Sequence, residues 1–465
     1  MMSDLLAVPS YSETKASSSS ESLLGDLTPP RYTPSPPAPH YTSEPKRDEL
    51  TLQEARRPNA LPSGSFVTSA GPLTLEIAHQ VDGVSTPTLN ARGRLRGTLA
   101  LDMRDRSSII GVTLTLSGRM ILEAAGAGRE TVTLLKETHD LWLDQGPVPS
   151  LVPIDIVVPS TFVDNDGEVR SLPPSCDFTD EPMGPAAPVS AQVAYNLSIV
   201  VERERRHGIF SQTKSSVRTS LNAHKVLTTD IRLTTPFELV PRTRPDHGII
   251  PVPSFFSTMK TSPEEWHQAV SEIATNPASG VQSLKSHLFL PAGKVYWIGD
   301  AIPFHLSVTG PSTSLHALFP SESAAGAPST GAQITVKVLR QIAVTARKHR
   351  AVRNVIIGHG TLRSVEPFSS ARGEQRDWDG FVQFTPFTKS VPTIRSVLSR
   401  SELKMDNNST VCGFNVGSLV VKDFIVLEIK PVSPATSPFH THQNPVFVRF
   451  TTDPYVESYG PDQPS

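Results

Sequence analysis

The chain has 465 residues, 37% of them hydrophobic and 19% charged, with a formal net charge of −2. That length suits two or three domains, and so small a charge excludes global attraction to nucleic acid, leaving any anionic partner to a local patch. Cys176 and Cys412 stand far apart with no zinc-type spacing, Asp4 sits where a secretory signal needs bases, and no run approaches the ~18 apolar residues of a membrane span, so a reduced, cytoplasmic chain without metal or cofactor is expected.

Residues 1–62 contain ten prolines and ten serines and no sustained apolar period. Such a segment cannot bury enough surface to offset the entropy of ordering, so it reads as a disordered tail. Within it stands Pro29-Pro30-Arg31-Tyr32, a PPxY sequence of the kind WW domains bind. Prolines hold the chain in an open left-handed helix that fits aromatic grooves, and the tyrosine fills a neighbouring pocket. Pro9 with Tyr11 and Pro39 with Tyr41 keep the Pro-x-Tyr half and are weaker copies.

From Leu73 the texture is that of strands, an all-β chain. Leu73–Ala78, Arg94–Met103 and Ile110–Gly118 alternate, Glu130–Leu143 and Ile154–Val158 follow, and the longest alternation runs from Val189 to Val201. There Val189, Ala191, Val193, Tyr195, Leu197, Ile199 and Val201 share one face, which requires a sheet opposite it and hence a β-sandwich. A return strand is expected over Ser215–Leu221.

Residues 236–280 read as a proline-rich bridge with one short helix. Ser262-Pro263-Glu264-Glu265 has the form of a capping box, and Trp266, Ala269, Val270 and Ile273 share a helical face. A second set of strands then follows: Lys294–Leu306 with a Gly299-Asp300 turn, Ile334–Val344, Phe381–Phe384, Val421–Ile429 and Pro445–Phe450. Residues 311–332 read as a long polar loop.

The Ile110–Gly118 strand, Leu172-Pro173-Pro174-Ser175 ahead of the Tyr195 strand, the Gly299-Asp300 turn and the Val421–Ile429 strand resemble, in that order, the arrestin family. The resemblance implies two consecutive immunoglobulin-like β-sandwich domains, here residues 63–235 and 281–452, with a short tail over 453–465. Two departures stand out: Ala91–Arg94 lacks the acid of the family's Gly-Asp pair, and the connection from Ser175 to Val189 is long.

Enzymatic motifs are missing from the sequence: no glycine-rich phosphate loop and no recognisable nucleophile, so no catalytic residue is assigned. Asp164–Glu168 imitates a calcium loop but reads as a tight turn, because Phe162 occupies the first ligand position. His440 and His442 read as a surface loop. Lys337, Arg340, Arg347, Lys348, Arg350 and Arg353 lie in seventeen residues without an acid and form a candidate anion-binding patch, for lipid headgroups or phosphorylated tails, as an alternative to a solvated hairpin paired with acids on a neighbouring strand.

The family most resembled is the α-arrestins of fungi. That resemblance implies an adaptor that links membrane transporters or receptors to a HECT-type ubiquitin ligase through PPxY–WW contacts, promoting ubiquitination and endocytosis at the plasma membrane or endosomes. It places such motifs behind the second domain, whereas here they precede the first. The alternative is a sorting or signalling scaffold of the same fold, such as a retromer-type cargo subunit or a pH-sensing receptor arrestin, without ligase recruitment.

Overall fold

The computed structural model describes residues 62–455 except 125, 144–145, 180–188, 205–229, 250–254, 321–330, 366–373 and 385–410. Pro9, Tyr11, Pro29, Pro30, Tyr32, Pro39, Tyr41 and the strand expected over Ser215–Leu221 lie outside the described residues.

The described chain is all-β apart from two short helices and three single turns of 3₁₀ helix. The first half runs β1 (Gly64–Ala70), β2 (Leu73–Gln80), β3 (Thr88–Leu89), β4 (Arg94–Leu101), β5 (Ile109–Ala124), β6 (Gly128–Leu143), β7 (Leu151–Val157), β8 (Thr161–Val163), β9 (Val169–Ser171), β10 (Cys176–Asp177), β11 (Ser190–Arg203) and β12 (Ile231–Leu239). The second half runs α1 (Phe255–Thr261), β13 (Trp266–Ile273), β14 (Leu284–Pro291), β15 (Val295–Trp297), β16 (Ala301–Thr309), α2 (Ser312–Leu318), β17 (Ala332–Ala346), β18 (His349–Val365), β19 (Gln375–Phe384), β20 (Phe414–Asn415), β21 (Leu419–Pro431) and β22 (His442–Thr451).

A four-stranded sheet, β1-β2-β4-β7, faces a sheet ordered β3-β12-β11-β5-β6 with β10 also on β11. Inward residues of both, Leu75, Leu99 and Ile154 from one and Leu114, Leu197 and Leu233 from the other, share the first core. β11 alternates along its length, with Ala191, Val193, Tyr195, Leu197, Ile199 and Val201 all buried. Tyr195 donates a 2.7 Å hydrogen bond to the Pro173 carbonyl and stacks on Phe237. The Leu-Pro-Pro-Ser turn is therefore tied to the strand through the one polar atom that strand buries. Gly118, opposite Tyr195 on β5, has to be glycine because a Cβ there would stand 2.5 Å from the ring.

The second half is one ten-stranded sheet, β13-β14-β16-β19-β18-β17-β21-β22-β15, with β20 on β21. Leu288, Leu306 and Val382 from one end and Val338, Ile425 and Val448 from the other enter the same second core, so the sheet curls over onto itself. In its Gly299-Asp300 turn, Asp300 Oδ2 accepts the Trp297 N–H at 2.8 Å, and the Trp297 ring fills the space of a Gly299 side chain.

Three expectations are corrected. Residues 266–273 form β13, not a helix; Ser262 makes no side-chain cap, and Pro263–Glu265 is one 3₁₀ turn. The spacing of Trp266, Ala269, Val270 and Ile273 is helical, but pairing of all eight residues with β14 overrides it. In the strand Trp266 and Ile273 are buried on opposite faces while Val270 is 55% exposed. Residues 312–318 are helical rather than loop, because Leu315 and Leu318 reach the second core. His442 is a buried strand residue whose Nε2 lies 3.0 Å from Ser271 Oγ and 3.3 Å from Ser286 Oγ, whereas His440 is exposed. Asp164 closes the β8–β9 hairpin as a tight turn, its Oδ1 accepting the N–H groups of Asp166 and Glu168. No described helix is long and apolar enough to cross a membrane.

Candidate functional site

The six bases of residues 337–353 lie on the β17–β18 hairpin, and the strand period sends them to different faces. On β17, Val336, Val338, Arg340, Ile342, Val344 and Ala346 point inward and are buried. Val336 and Val338 enter the second core, and Ile342, Val344 and Ala346 enter the first. β21 does the same: Leu419 and Val421 belong to the first core, Ile425 and Leu427 to the second. The paired ribbon therefore serves both cores, and Arg340 opposite Asp423 falls at the seam.

Arg340 is 2% and Asp423 1% exposed. The guanidinium grips the carboxylate with two bonds, Nε to Oδ1 at 2.8 Å and Nη2 to Oδ2 at 3.0 Å, and lies 5.7 Å from the centre of the Phe384 ring. Two charges in so dry a place are tolerated because each neutralises the other in planar, bidentate geometry. Arg340 is thus withdrawn from any surface patch. Lys337 points outward but is paired with Glu428 at 2.7 Å, which holds the Glu428 carboxyl below its ordinary range. Arg353 faces inward and is half-buried opposite Ile342. Arg347, Lys348 and Arg350 are exposed at the hairpin tip, where Arg347 and Lys348 both take positive φ angles, 46° and 70°. The tip touches the first half: the Arg347 backbone N–H donates to Glu130 Oε2 at 2.6 Å.

The halves are joined at two further places. Arg242 in the bridge forms a double hydrogen bond with Asp453 just after β22, 2.7 and 3.2 Å, beside a Thr243–Thr452 contact. Arg170 of β9 packs over Gly417, whose own φ is positive. With Ile342, Val344, Ala346, Val411, Val416, Leu419 and Val421 inside the first core, the halves share apolar packing as well as polar contacts.

A second buried polar cluster escaped the sequence reading. On the outer face of the second sheet, His305 is 1% exposed, with Nδ1 2.6 Å from Asp379 and Nε2 3.4 Å from Asp377, the latter at ion-pair distance but outside hydrogen-bond geometry. Phe255 of α1 lies flat on the imidazole, ring centres 3.8 Å apart and 6° from parallel, and Phe256 meets it edge-on. Burial pulls the His305 pKa down, yet the hydrogen bond to Asp379 and the negative charges of Asp377 and Asp379 outweigh it and hold the ring above the ordinary histidine range. The sequence signal for the first cluster was a charge in the middle of an apolar alternation, Asp423 between Val421 and Ile425, whereas His305 sits at an outward position of its strand, between the inward Phe304 and Leu306, and carries no such signal.

Cys176 and Cys412 are not paired, and burial pushes both thiols up to about 12, which leaves them poor nucleophiles. Among the described residues no group of three or more His, Cys, Asp or Glu is arranged to hold a metal. No protein-family model matches the chain, and none of the curated proteins is significantly similar to it.

Proposed function

We propose that this chain is an arrestin-like adaptor that brings a WW-domain ubiquitin ligase, of HECT type, to cytosolic parts of membrane transporters or receptors. The observation that carries the reading is the Pro29-Pro30-Arg31-Tyr32 sequence placed ahead of two sandwich-like halves joined end to end. Two β-sandwich domains of the arrestin type share packing along one long ribbon, and that rigid pair offers surface for cargo while the proline-rich tail reaches the ligase. A tether works by raising effective concentration, so its attachment at the first domain rather than after the second leaves the mechanism intact. Tyr32 and Pro30 fill the WW pockets; Tyr11 and Tyr41 are auxiliary. Ubiquitination and endocytosis of the cargo follow, at the plasma membrane or endosomes.

A peptide of residues 20–45 is expected to bind isolated WW domains by calorimetry. Tyr32→Ala and Pro30→Ala should each weaken that binding at least tenfold, about 1.4 kcal/mol. Absence of binding to the parent peptide would remove the ligase and leave a sorting or signalling scaffold of the same fold.

A further inference from the structure

The outer face of the second sheet carries a row of apolar side chains that is half-buried in the middle and exposed at its ends. Ile356 on β18 stands opposite Leu339 on β17, Leu339 opposite Phe424 on β21, and Phe424 opposite Phe447 on β22. Cross-strand partners share a face, and the residues between them, Arg340, Asp423, Ile425, Val446 and Val448, are buried on the other. Ile356 is 41% and Phe447 49% exposed, and Phe424 meets Phe447 edge-on at 5.8 Å. Four residues toward the hairpin tip along each strand, Val352, Ala343 and Val420 form a shorter parallel row, with Val352 47% exposed.

The charges around these rows have one sign. Outward positions of the four strands include Arg350, Lys422, Lys430 and Arg449, all exposed and none in an ion pair among the described residues. The one carboxylate among the outward positions of these strands, Glu428, is held by Lys337. Arg347 and Lys348 extend the basic surface at the tip.

We infer that this face docks on an anionic lipid bilayer, with Phe447 and Ile356 entering the boundary between headgroups and acyl chains and Arg350, Lys422 and Arg449 meeting lipid phosphates. Two features favour a bilayer over a peptide. The apolar row spans four strands, roughly 15 Å at the spacing of a sheet, and the bases flank it on both sides, so the complementary surface is two-dimensional. Aromatic side chains beside unpaired bases are the combination that binds headgroup regions, where neither the apolar nor the electrostatic contact suffices alone. The inference deepens the adaptor reading by supplying its membrane contact, and its test does not involve the WW motif.

The test is sedimentation of the full-length protein with phosphatidylcholine vesicles, with and without phosphatidylserine. The wild type should partition onto the phosphatidylserine vesicles and much less onto phosphatidylcholine alone, with binding falling as salt rises. Lys422→Glu with Arg449→Glu should reduce partitioning roughly tenfold or more, and Phe447→Ser should reduce it with no change in melting temperature. Val67→Ser, an equally exposed valine of the first half, should bind as the parent does. Phe447→Trp should add a blue-shifted fluorescence component when phosphatidylserine vesicles are present. Equal partitioning of wild type and the Glu and Ser variants, or no partitioning of the wild type, overturns the inference. So does capture of an acidic soluble peptide by this face with vesicles left unbound, which would assign it to a protein partner.

Discussion

β11 and β17 are long strands at the centre of their sheets, alike in length and alternation, yet their inward faces differ. That of β11 is apolar throughout, with Tyr195 placing its hydroxyl on the Pro173 carbonyl at the edge of the core. That of β17 is broken by Arg340, locked to Asp423. The difference follows from what each strand covers. β11 lines one core, whereas β17 runs past the end of one core into another, and the buried ion pair sits at the junction between them. A charge on an inward strand position is tolerable only where the facing strand carries its partner in register.

The sharpest way to break this comparison is to give β11 what β17 has, without the partner. Tyr195→Asp should unfold the first half, since it loses an aromatic worth about 3–5 kcal/mol of packing and buries an unpaired carboxylate costing several more. Asn196→Asp, on the opposite face, should shift stability by less than about 0.5 kcal/mol. Equal thermal shifts for the two would contradict the assignment of faces.

The reciprocal change removes the partner from β17. Asp423→Ala leaves the Arg340 guanidinium buried without its carboxylate and should cost about 3–5 kcal/mol in denaturant unfolding. Arg340→Met with Asp423→Leu should recover most of that loss, because replacing both charges by apolar groups of similar volume is close to neutral. A double variant as unstable as Asp423→Ala would mean that the seam needs the charges themselves.

The smallest expected effect concerns the other buried cluster. The raised pKa of His305 means that its contribution is fully present below the unfolded value of about 6.5 and is lost as pH rises through the folded value. Burial pushes the Asp377 carboxyl up, but the neighbouring His305 and the bonds from Gln375 and Ser307 outweigh it and hold the carboxyl low, so Asp377 contributes above its unfolded pKa and loses this as pH falls. His287 on the same face is shifted down by burial and by Lys285, so it adds nothing to the alkaline limb. Melting temperature should therefore decline from neutral pH upward in the wild type, and His305→Gln should flatten that decline. An unchanged slope in the variant would show that the cluster is not its source.

How much of this was legible beforehand differs by element. The face of β11, the Gly299-Asp300 turn and the Asp164 turn were readable because each depends on residues within a few positions of one another. β13 was misread because an edge strand draws its stability from backbone bonds to β14, which the apolar spacing of Trp266 to Ile273 does not encode. The basic hairpin looked like one patch because charge was counted along the chain. Alternation alone would have put Arg340 and Lys337 on opposite faces, but not beside Asp423 and Glu428.

What the sequence by itself determined is therefore local: an all-β chain, its alternating strands and the PPxY tail motif, since period and turn chemistry act over short distances. Only the tertiary structure decided that β17 and β21 span two cores, that Arg340 meets Asp423 at the seam, that α1 lays Phe255 on His305, and that Ile356, Leu339, Phe424 and Phe447 line up in one exposed row. Those facts depend on strand register between segments tens of residues apart. Register is set by the summed burial of whole faces, so no single stretch of sequence contains it.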